Sequence, residues 1–329
     1  MADQFAVTKI PGMGTDEMPA PPLERDEKSR IIYGVADPTW DIDALPLTYT
    51  NSRWFAFCYE AAEADLKRVL PAGVTLEDDV VEFWYVEHQN TRLGPYGEFG
   101  VTVSASYNGT KFGYYPYMYL TSASGVDAGR VLGFPKKMSM IRCLEHGGGW
   151  DDGYNESFRC CGPNRKYFSF MMSRYGYLIH SATGEYTGNS FSDIARIPMF
   201  YGKEDWGRGN YKITTDGNLV NTRHQLTHLP SKINGTHRFQ LKMDTLSTAQ
   251  PEDINWFMQA TPFDNMGELL PAKKLLGLVS FNFDLVIPPA EVLYEKTITR
   301  TPEEIAKFCL NETPYKFGMR HEFIKPYGI

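Results

Sequence analysis

The 329-residue sequence contains no run of about 18 apolar residues, the length that a membrane-spanning helix needs. Residues 1–22 are polar and proline-rich and lack the apolar core of a signal peptide, so we expect a cytoplasmic protein that does not enter a membrane. The five cysteines show no CxxC spacing. Reduced thiols are therefore predicted, with neither a disulfide framework nor a metal site.

Clusters of Lys and Arg are also missing, and the formal net charge is −7. Nucleic-acid binding relies on clustered positive charge that displaces counterions from phosphates, so no nucleic-acid partner is expected. What the chain has in abundance is aromatic side chains, with 20 Tyr, 20 Phe and 6 Trp. Such a content predicts a core rich in rings, a minority of which line a pocket.

The pattern along the chain indicates one central domain between two arms. Residues 1–46 are rich in Pro, Asp and Glu without apolar periodicity, which predicts an N-terminal arm with no independent fold. Thr301-Pro-Glu-Glu304 has the residues of a helix capping box, so residues 296–329 are expected to form a C-terminal helical arm. The domain itself is assigned to residues 47–295.

Short strand candidates separated by turn residues dominate this domain. Asn108-Gly109 predicts a two-residue hairpin between the apolar runs Val101–Tyr107 and Thr110–Leu120. Helix-forming residues fill Glu60–Leu70 and end at a proline. The expected fold is mainly β (α+β), a closed or half-closed antiparallel sheet with a few peripheral helices.

Two adjacent lysines, Lys136 and Lys137, follow Pro135 in a setting otherwise made of apolar residues and glycine. A solvated pair in a turn is the common arrangement for such a dipeptide. A lysine held in a dry, ring-lined cavity is instead pushed towards the neutral amine, which can attack a carbonyl. Neighbouring side chains on a strand point to opposite faces, so we expect Lys137 to pair with a carboxylate and to hold the backbone that aims Lys136.

The segment Gly129-Arg-Val-Leu-Gly-Phe-Pro-Lys-Lys137 resembles the Schiff-base segment of the acetoacetate decarboxylase family. Further blocks are similar to the family in the same order: Asn51-Ser-Arg53-Trp-Phe, Tyr96-Gly-Glu98, Ser104–Gly109, Tyr117-Met-Tyr-Leu120 and Asp284–Tyr294. The resemblance implies a cone-like antiparallel β-barrel or double sheet, a homo-oligomer, and no cofactor beyond a covalent imine on Lys136.

The resemblance also implies roles for individual residues. Lys136 would form an imine with a substrate ketone, and the protonated imine would act as an electron sink. Arg53 falls where the family keeps an active-site arginine and would orient a carboxylate. Glu98 would repel the carboxylate that leaves and would relay protons. Phe134, Pro135 and Lys137 are expected to support the reactive lysine.

One position departs from the family, because Trp84 stands where a second acidic residue is common. We expect Trp84, Met118 and Tyr119 to line the pocket, and insertions between residues 140 and 233, including Gly202–Gly209, to reshape its mouth. The hypothesis is a carbon–carbon lyase that decarboxylates a β-keto acid larger than acetoacetate, for example a polyketide-like or aromatic one from secondary metabolism. Two alternatives stay open: an aldolase or dehydratase that uses the same imine, and a non-catalytic barrel that binds a small molecule.

Overall fold

The computed structural model of the protein describes residues 25–26, 31–32, 46–147, 165–194, 207–233 and 238–305. The chain divides into two compact units, Met1–Ala44 and Leu45–Ile329. In the first unit, strands β1 (Arg25–Asp26) and β2 (Ile31–Ile32) form an antiparallel pair. The rest of the predicted N-terminal arm, and most of the predicted C-terminal arm, lie outside the described residues.

The second unit is built mainly from strands, as the sequence predicts. The strands are β3 (Leu47–Glu60), β4 (Thr75–His88), β5 (Asn90–Thr91), β6 (Tyr96–Tyr107), β7 (Thr110–Leu120), β8 (Lys136–Met138), β9 (Met140–Gly147), β10 (Arg165–Arg174), β11 (Tyr177–Glu185), β12 (Gly207–Thr215), β13 (Asn221–Leu229), β14 (Lys232–Ile233), β15 (Arg238–Ala249), β16 (Ile254–Met258), β17 (Lys274–Ile287) and β18 (Glu291–Thr299). The helices are α1 (Glu63–Val69), α2 (Ala123–Leu132) and α3 (Met266–Leu269), with 3-10 turns at Phe191–Ile194 and Pro251–Asp253.

The strands form two sheets. The larger has twelve strands, with the path β14-β15-β17-β3-β4-β6-β7-β12-β13-β18, with β5 paired to β3 and β8 to β7. The smaller has four, in the order β16-β11-β10-β9. Pairing is antiparallel except for β7 with β8, β7 with β12, and β14 with β15. The double-sheet form of the expected fold is confirmed, whereas in the described residues the path of the large sheet stays open and no closed barrel forms.

The main core lies between the two sheets and consists largely of rings. Phe55 and Phe57 of β3 pack against Phe168 and Phe170 of β10. On its other face the large sheet curls strongly. Arg208 on β12 comes within 6.0 Å of the Phe239 ring on β15, although five strands separate β12 from β15 along the sheet. This curled face encloses the cavity described below.

Two local sequence signals are confirmed at atomic detail. Asn108 and Gly109 have φ angles of 48° and 84°, the left-handed pair that a tight hairpin between β6 and β7 requires. At the capping box, the Glu304 amide donates to Thr301 Oγ1 (3.3 Å), and the Thr301 amide donates to Glu304 Oε2 (2.9 Å). None of the helices that the structure describes combines the length and apolar character that a membrane crossing requires.

Candidate active site

Helix α2 and a tight turn carry the chain to Lys136. Ser122 caps the helix N-terminus through its hydroxyl, and Gly133 ends the helix in the left-handed region at φ 101°. The Lys136 amide then donates to the Phe134 carbonyl at 2.8 Å, and β8 pairs parallel with β7. This pairing places Lys136 opposite Met118, on the curled face of the large sheet.

Two residues of α2 position the lysine itself. A Cβ atom on Gly129 would lie 2.2 Å from Lys136 Cδ and 2.3 Å from Cε, so only glycine lets the aliphatic stem cross the helix here. The guanidinium Nε of Arg130 donates to the Lys136 carbonyl at 3.1 Å. The Gly-Arg pair at the start of the motif therefore fixes the lysine's stem and backbone.

Lys136 is only 5% exposed and lines a cavity of about 40 Å³. The walls are mostly aromatic: Trp54, Trp84, Tyr115, Phe134 and Phe283. The two indoles stack with their centroids 4.7 Å apart, and Trp84 Nε1 donates to Thr102 Oγ1 at 2.9 Å. The Trp84 ring is thus held in place.

A chain of buried polar groups leads away from the lysine. Lys136 Nζ lies 3.1 Å from Glu98 Oε1, and Glu98 Oε2 lies 3.5 Å from His88 Nε2. At the far side of the imidazole, Ser52 Oγ lies 2.8 Å from His88 Nδ1. A carboxylate can only accept hydrogen bonds, so the Nε2 that faces Glu98 carries the hydrogen and Nδ1 accepts from Ser52.

The charges along this chain shift two of its pKa values. Burial alone raises the pKa of Glu98, but the positive charge of Lys136 and the contact with His88 outweigh it and hold that pKa at about 2. Burial lowers the pKa of His88, and the negative charge of Glu98 only partly opposes this. At neutral pH Glu98 is therefore ionised and His88 is neutral.

Arg208 is a second cation in the wall of this cavity. It is half-buried on β12, and its guanidinium lies 6.0 Å from the Phe239 ring. Its charge opposes the rise in the pKa of Tyr115 that burial causes. Among the described carboxylates, none forms an ion pair with Arg208. A planar guanidinium without a carboxylate partner is well suited to bind an anionic group.

A different buried cluster lies on the opposite face of the large sheet, between the two sheets. Arg53 makes a two-point contact with Glu145, from Nε to Oε2 at 3.2 Å and from a terminal nitrogen to Oε1 at 3.0 Å. Its remaining donors reach the Thr245 carbonyl, Asn282 and Ser280. The guanidinium is thus fully engaged.

The sequence matches the acetoacetate decarboxylase (ADC) family over residues 34–296. The chain belongs to the acetoacetate decarboxylase family. Among curated relatives, the acetoacetate decarboxylases of Clostridium acetobutylicum and Clostridium botulinum are 30% and 33% identical over 95 and 96 residues, 28% of this chain in each case. These matches span only 39% of the length of each relative.

Solved structures of the acetoacetate decarboxylase fold cover more of the chain. The crystal structure of the acetoacetate decarboxylase from Legionella pneumophila superposes with a TM-score of 0.61 at 18% identity, covering 76% of this chain and 88% of that one. The enduracididine biosynthesis enzyme MppR, complexed with pyruvate, gives a TM-score of 0.60 at 14% identity, covering 76% and 91%. At these identities the similarity establishes the fold.

Most of the predicted site residues come together. Glu98, Trp84, Met118 and Phe134 line the cavity of Lys136, and the ring centroid of Phe134 lies 5.3 Å from Nζ. Pro135 occupies the turn between Phe134 and the lysine. Lys137 points to the other face of its strand, where its Nζ lies 3.5 Å from Asp264 Oδ1, as alternation along a strand predicts.

Two predicted residues do not reach the cavity. Tyr119 neighbours Met118 on β7 and therefore faces the opposite way, where its hydroxyl donates to Asp264 at 2.6 Å. Arg53 likewise faces the Glu145 cluster, and its neighbours Ser52 and Trp54 face the Lys136 cavity. In both cases an offset of one residue along a strand moves the side chain across the sheet.

The sequence analysis missed three site residues. His88 follows Trp84 and Val86 at intervals of two, so continuing the alternation of β4 past the apolar run would have found it. Ser52 precedes Trp54 by two residues and obeys the same rule. Arg208 stands in the segment Gly202–Gly209, where no pattern in the sequence singles it out. In the described part of the chain, no three His, Cys, Asp or Glu residues form a group that could hold a metal ion.

Proposed function

We propose that the protein is a carbon–carbon lyase that decarboxylates a β-keto acid through an imine on Lys136, with no further cofactor. The observation that carries the proposal is the placement of Lys136: its amine is buried among rings, and its Nζ lies 3.1 Å from Glu98 at the end of a row of buried polar groups. An aliphatic amine becomes nucleophilic only when it gives up its extra proton, so Lys136 must release that proton before it attacks a carbonyl.

The proposed reaction begins at the amine of Lys136. Neutral Nζ attacks the ketone carbon, a C–N bond forms, and the ketone oxygen leaves as water after taking two protons. The bond to the carboxylate then breaks, its electron pair moves into the protonated imine, and carbon dioxide leaves. The enamine carbon takes a proton, and water hydrolyses the imine to release the ketone. Glu98 and neutral His88 are the groups that we propose to move these protons.

Arg208 binds the substrate carboxylate in this proposal. It lines the same cavity as Lys136 and has no carboxylate partner among the described residues. A guanidinium can hold a carboxylate by two parallel hydrogen bonds, which fixes its direction. The ionised Glu98 in the same cavity repels that carboxylate, which favours its departure as neutral carbon dioxide.

The size of the cavity favours a compact substrate. Because a water molecule needs about 10 to 15 Å³, a cavity of about 40 Å³ holds roughly three water-sized groups. Acetoacetate has seven non-hydrogen atoms, so even this substrate requires wall side chains to move, and the larger keto acid that the sequence suggests requires more of the space that the stacked Trp54 and Trp84 occupy. We therefore propose a short-chain β-keto acid for the wild-type protein and expect Trp84→Ala to extend turnover to larger ones.

Borohydride trapping tests the proposed imine. The protein is incubated with acetoacetate or with the larger benzoylacetate, reduced with borohydride, and digested for mass spectrometry. We expect an adduct on the Lys136 peptide, its loss in Lys136→Ala, and its retention in Lys274→Ala, a change in the chain's other Lys-Lys pair. An adduct that survives Lys136→Ala, or none with any keto acid, overturns the proposal.

Carbon dioxide release in the same incubations separates the chemistries. Release that depends on Lys136 supports decarboxylation. An adduct on Lys136 without carbon dioxide indicates the aldolase or dehydratase alternative, which uses the same imine. Binding without an adduct indicates the non-catalytic barrel.

A further inference from the structure

A second, larger cavity opens between the two sheets. It measures about 790 Å³, within the range of about 300 to 1,000 Å³ that small-molecule sites occupy. The end of β4 and the start of β6 form one side, and β9 and β10 form the other. Its walls are mainly apolar and include Tyr96, Ile141 and Cys143, the exposed side chains of Met140 and Met171, and one cation, Arg142.

One carboxyl group in this cavity has no hydrogen-bond or ion-pair partner in the part of the chain that the structure describes. Glu87 lines the cavity and is only 8% exposed, yet none of the described residues forms a hydrogen bond or ion pair with its side chain. Its cross-strand neighbour is Arg53, the natural candidate for an ion pair. That guanidinium is already engaged by Glu145, Thr245, Asn282 and Ser280. The hydrogen-bonding capacity of Glu87 is therefore directed into the cavity.

The charges around Glu87 determine which form of the carboxyl faces the ligand. Burial and then the negative charge of Glu145 raise the pKa of Glu87 to about 8, and the positive charge of Arg53 only partly opposes them. The Cys143 thiol also lies close by, and burial raises its pKa, so it stays uncharged at neutral pH. Glu87 therefore keeps its proton at neutral pH and offers one O–H donor.

We propose that this cavity binds a neutral, mainly apolar carbonyl compound whose oxygen accepts a hydrogen bond from the Glu87 carboxyl. An anionic group bound to Glu87 would meet the negative charge of Glu145, which already acts on Glu87, and like charges repel. A hydrocarbon would fill the volume but would offer the Glu87 carboxyl no hydrogen-bond acceptor. A carbonyl compound with an apolar skeleton accepts the hydrogen bond from Glu87 and packs against the apolar walls.

This site is distinct from the cavity of Lys136. The two cavities adjoin where β4 ends: His88 lines both, and Tyr96 of the large cavity contacts Tyr49 of the Lys136 cavity, with the hydroxyl oxygens 3.1 Å apart. Their other lining residues differ. The proposal concerns non-covalent binding, so it does not depend on the proposed imine chemistry. An ester is a suitable probe because it carries the carbonyl oxygen but does not form an imine with an amine.

The test uses methyl pentanoate as the probe and methionine methyl groups as reporters. The full chain is labelled with ¹³C at the methionine methyls, and the signals are assigned with single Met→Leu variants. We expect saturable shifts at Met140 and Met171, which line the large cavity, and not at Met118, which lines the cavity of Lys136. Pentanoate, the matched carboxylate, should bind at least tenfold more weakly.

Substitutions at Glu87 and the pH dependence complete the test. We expect the affinity of the wild type for the ester to fall as pH rises through about 8, where Glu87 loses its proton. Glu87→Gln keeps a donor that does not titrate, so its affinity should not vary with pH, and Glu87→Leu should bind at least tenfold more weakly. Shifts at Met118 instead, equal binding of pentanoate, or a Glu87→Gln profile that follows the wild type would overturn the proposal.

Discussion

Two buried glutamates on neighbouring strands behave in opposite ways. Glu98 on β6 pairs with Val86 of β4, and Glu87 is the next residue along β4, so the two carboxyls lie on opposite faces of the same sheet. They are 4% and 8% exposed. Yet the pKa of Glu98 is held at about 2, whereas that of Glu87 is raised to about 8.

Burial raises the pKa of both groups, so burial is not what distinguishes them. The difference lies in the nearest cation. Lys136 has Glu98 as its carboxylate, whereas Arg53 is saturated by Glu145, whose own charge acts on Glu87. A cation that a closer carboxylate has engaged stabilises the ionised form of a second buried acid only in part. One face of the sheet thus holds a charged pair, and the other holds an acid that keeps its proton.

Glu98→Gln is expected to have the largest effect on function. The amide cannot take a proton from Lys136 or return one, and general acid–base groups contribute about 10²- to 10⁴-fold. We expect the rate of adduct formation on Lys136 to fall by about that factor, measured as borohydride-trapped adduct against time. Glu77→Gln is the matched control, because Glu77 lies on β4 and contacts Lys111 and Ser106 outside the cavity. An unchanged trapping rate in Glu98→Gln would assign the proton transfer to another group.

The substitution Arg53→Met tests the ion pair between Arg53 and Glu145, on the face of the large sheet opposite Lys136. It removes the partner of Glu145 and leaves a buried carboxylate uncompensated, which costs about 3–5 kcal/mol when a buried pair is broken. The free energy of unfolding in urea measures the loss. A cost below about 1 kcal/mol would show that the Glu145 cluster does not need the ion pair.

Arg53→Lys separates stability from function, because it keeps the charge in a folded protein. If Arg53 acts only between the sheets, this variant should form the Lys136 adduct at the wild-type rate per folded molecule. A loss of trapping would restore the role that the family resemblance implies for Arg53.

The comparison of the two faces also explains what the sequence predicts well and what it does not. The resemblance of the lysine motif to the family, and not the local pattern alone, implies Lys136, Phe134 and Pro135, and the structure shows these residues as neighbours in one short turn. The hairpin at Asn108-Gly109 and the capping box at Thr301 are predicted from the local pattern itself. Helix α2, which positions Lys136, was not predicted, because its glycines and valines are poor helix formers in isolation.

Prediction from the sequence fails where a residue of a long strand has to be assigned to one face of the sheet. Strand β3 contains Asn51 at a φ of 54°, and the pairing of β17 with β3 shifts register between Phe283 and Leu285, opposite this point. This irregularity lets Tyr49 face the Lys136 cavity together with Trp54, whereas Arg53 follows the alternation of Phe55 and Phe57 and faces the smaller sheet. Arg208 could not be predicted, because only the curl of the sheet brings β12 towards β15.

The dependence of stability on pH also distinguishes Glu98 from Glu87. The pKa of Glu98 is about 2 in the folded protein, below its ordinary value of 4.5, so the ionised form of Glu98 stabilises the fold. This contribution is lost as pH falls from about 4.5 through about 2. The folded pKa of Glu87 is higher than its ordinary 4.5, so stability falls as pH rises from about 4.5 to about 8. At about 1.4 kcal/mol per pKa unit, the effects are on the order of 3 kcal/mol for Glu98 and 5 kcal/mol for Glu87.

Urea unfolding at a series of pH values measures both effects. We expect Glu98→Gln to remove part of the loss on the acid side, and Glu87→Gln to flatten the decline between about pH 4.5 and about pH 8. Above pH 8, Glu87→Gln should be more stable than the wild type. A Glu87→Gln curve parallel to that of the wild type would mean that Glu87 has found a partner for its charge.

The smallest effects concern the single hydroxyl that supports each cluster. Tyr186 donates to Glu145 Oε1 at 2.7 Å, and Ser52 contacts His88 Nδ1 at 2.8 Å. Hydrogen bonds to charged groups contribute about 1.5–3 kcal/mol and neutral ones about 1 kcal/mol. Because Glu145 is ion-paired and burial keeps His88 neutral, Tyr186→Phe should cost about 2 kcal/mol and Ser52→Ala about 1 kcal/mol in urea unfolding at neutral pH. The reverse order would mean that His88 is charged, and the polar chain beside Lys136 would then hold two cations around Glu98.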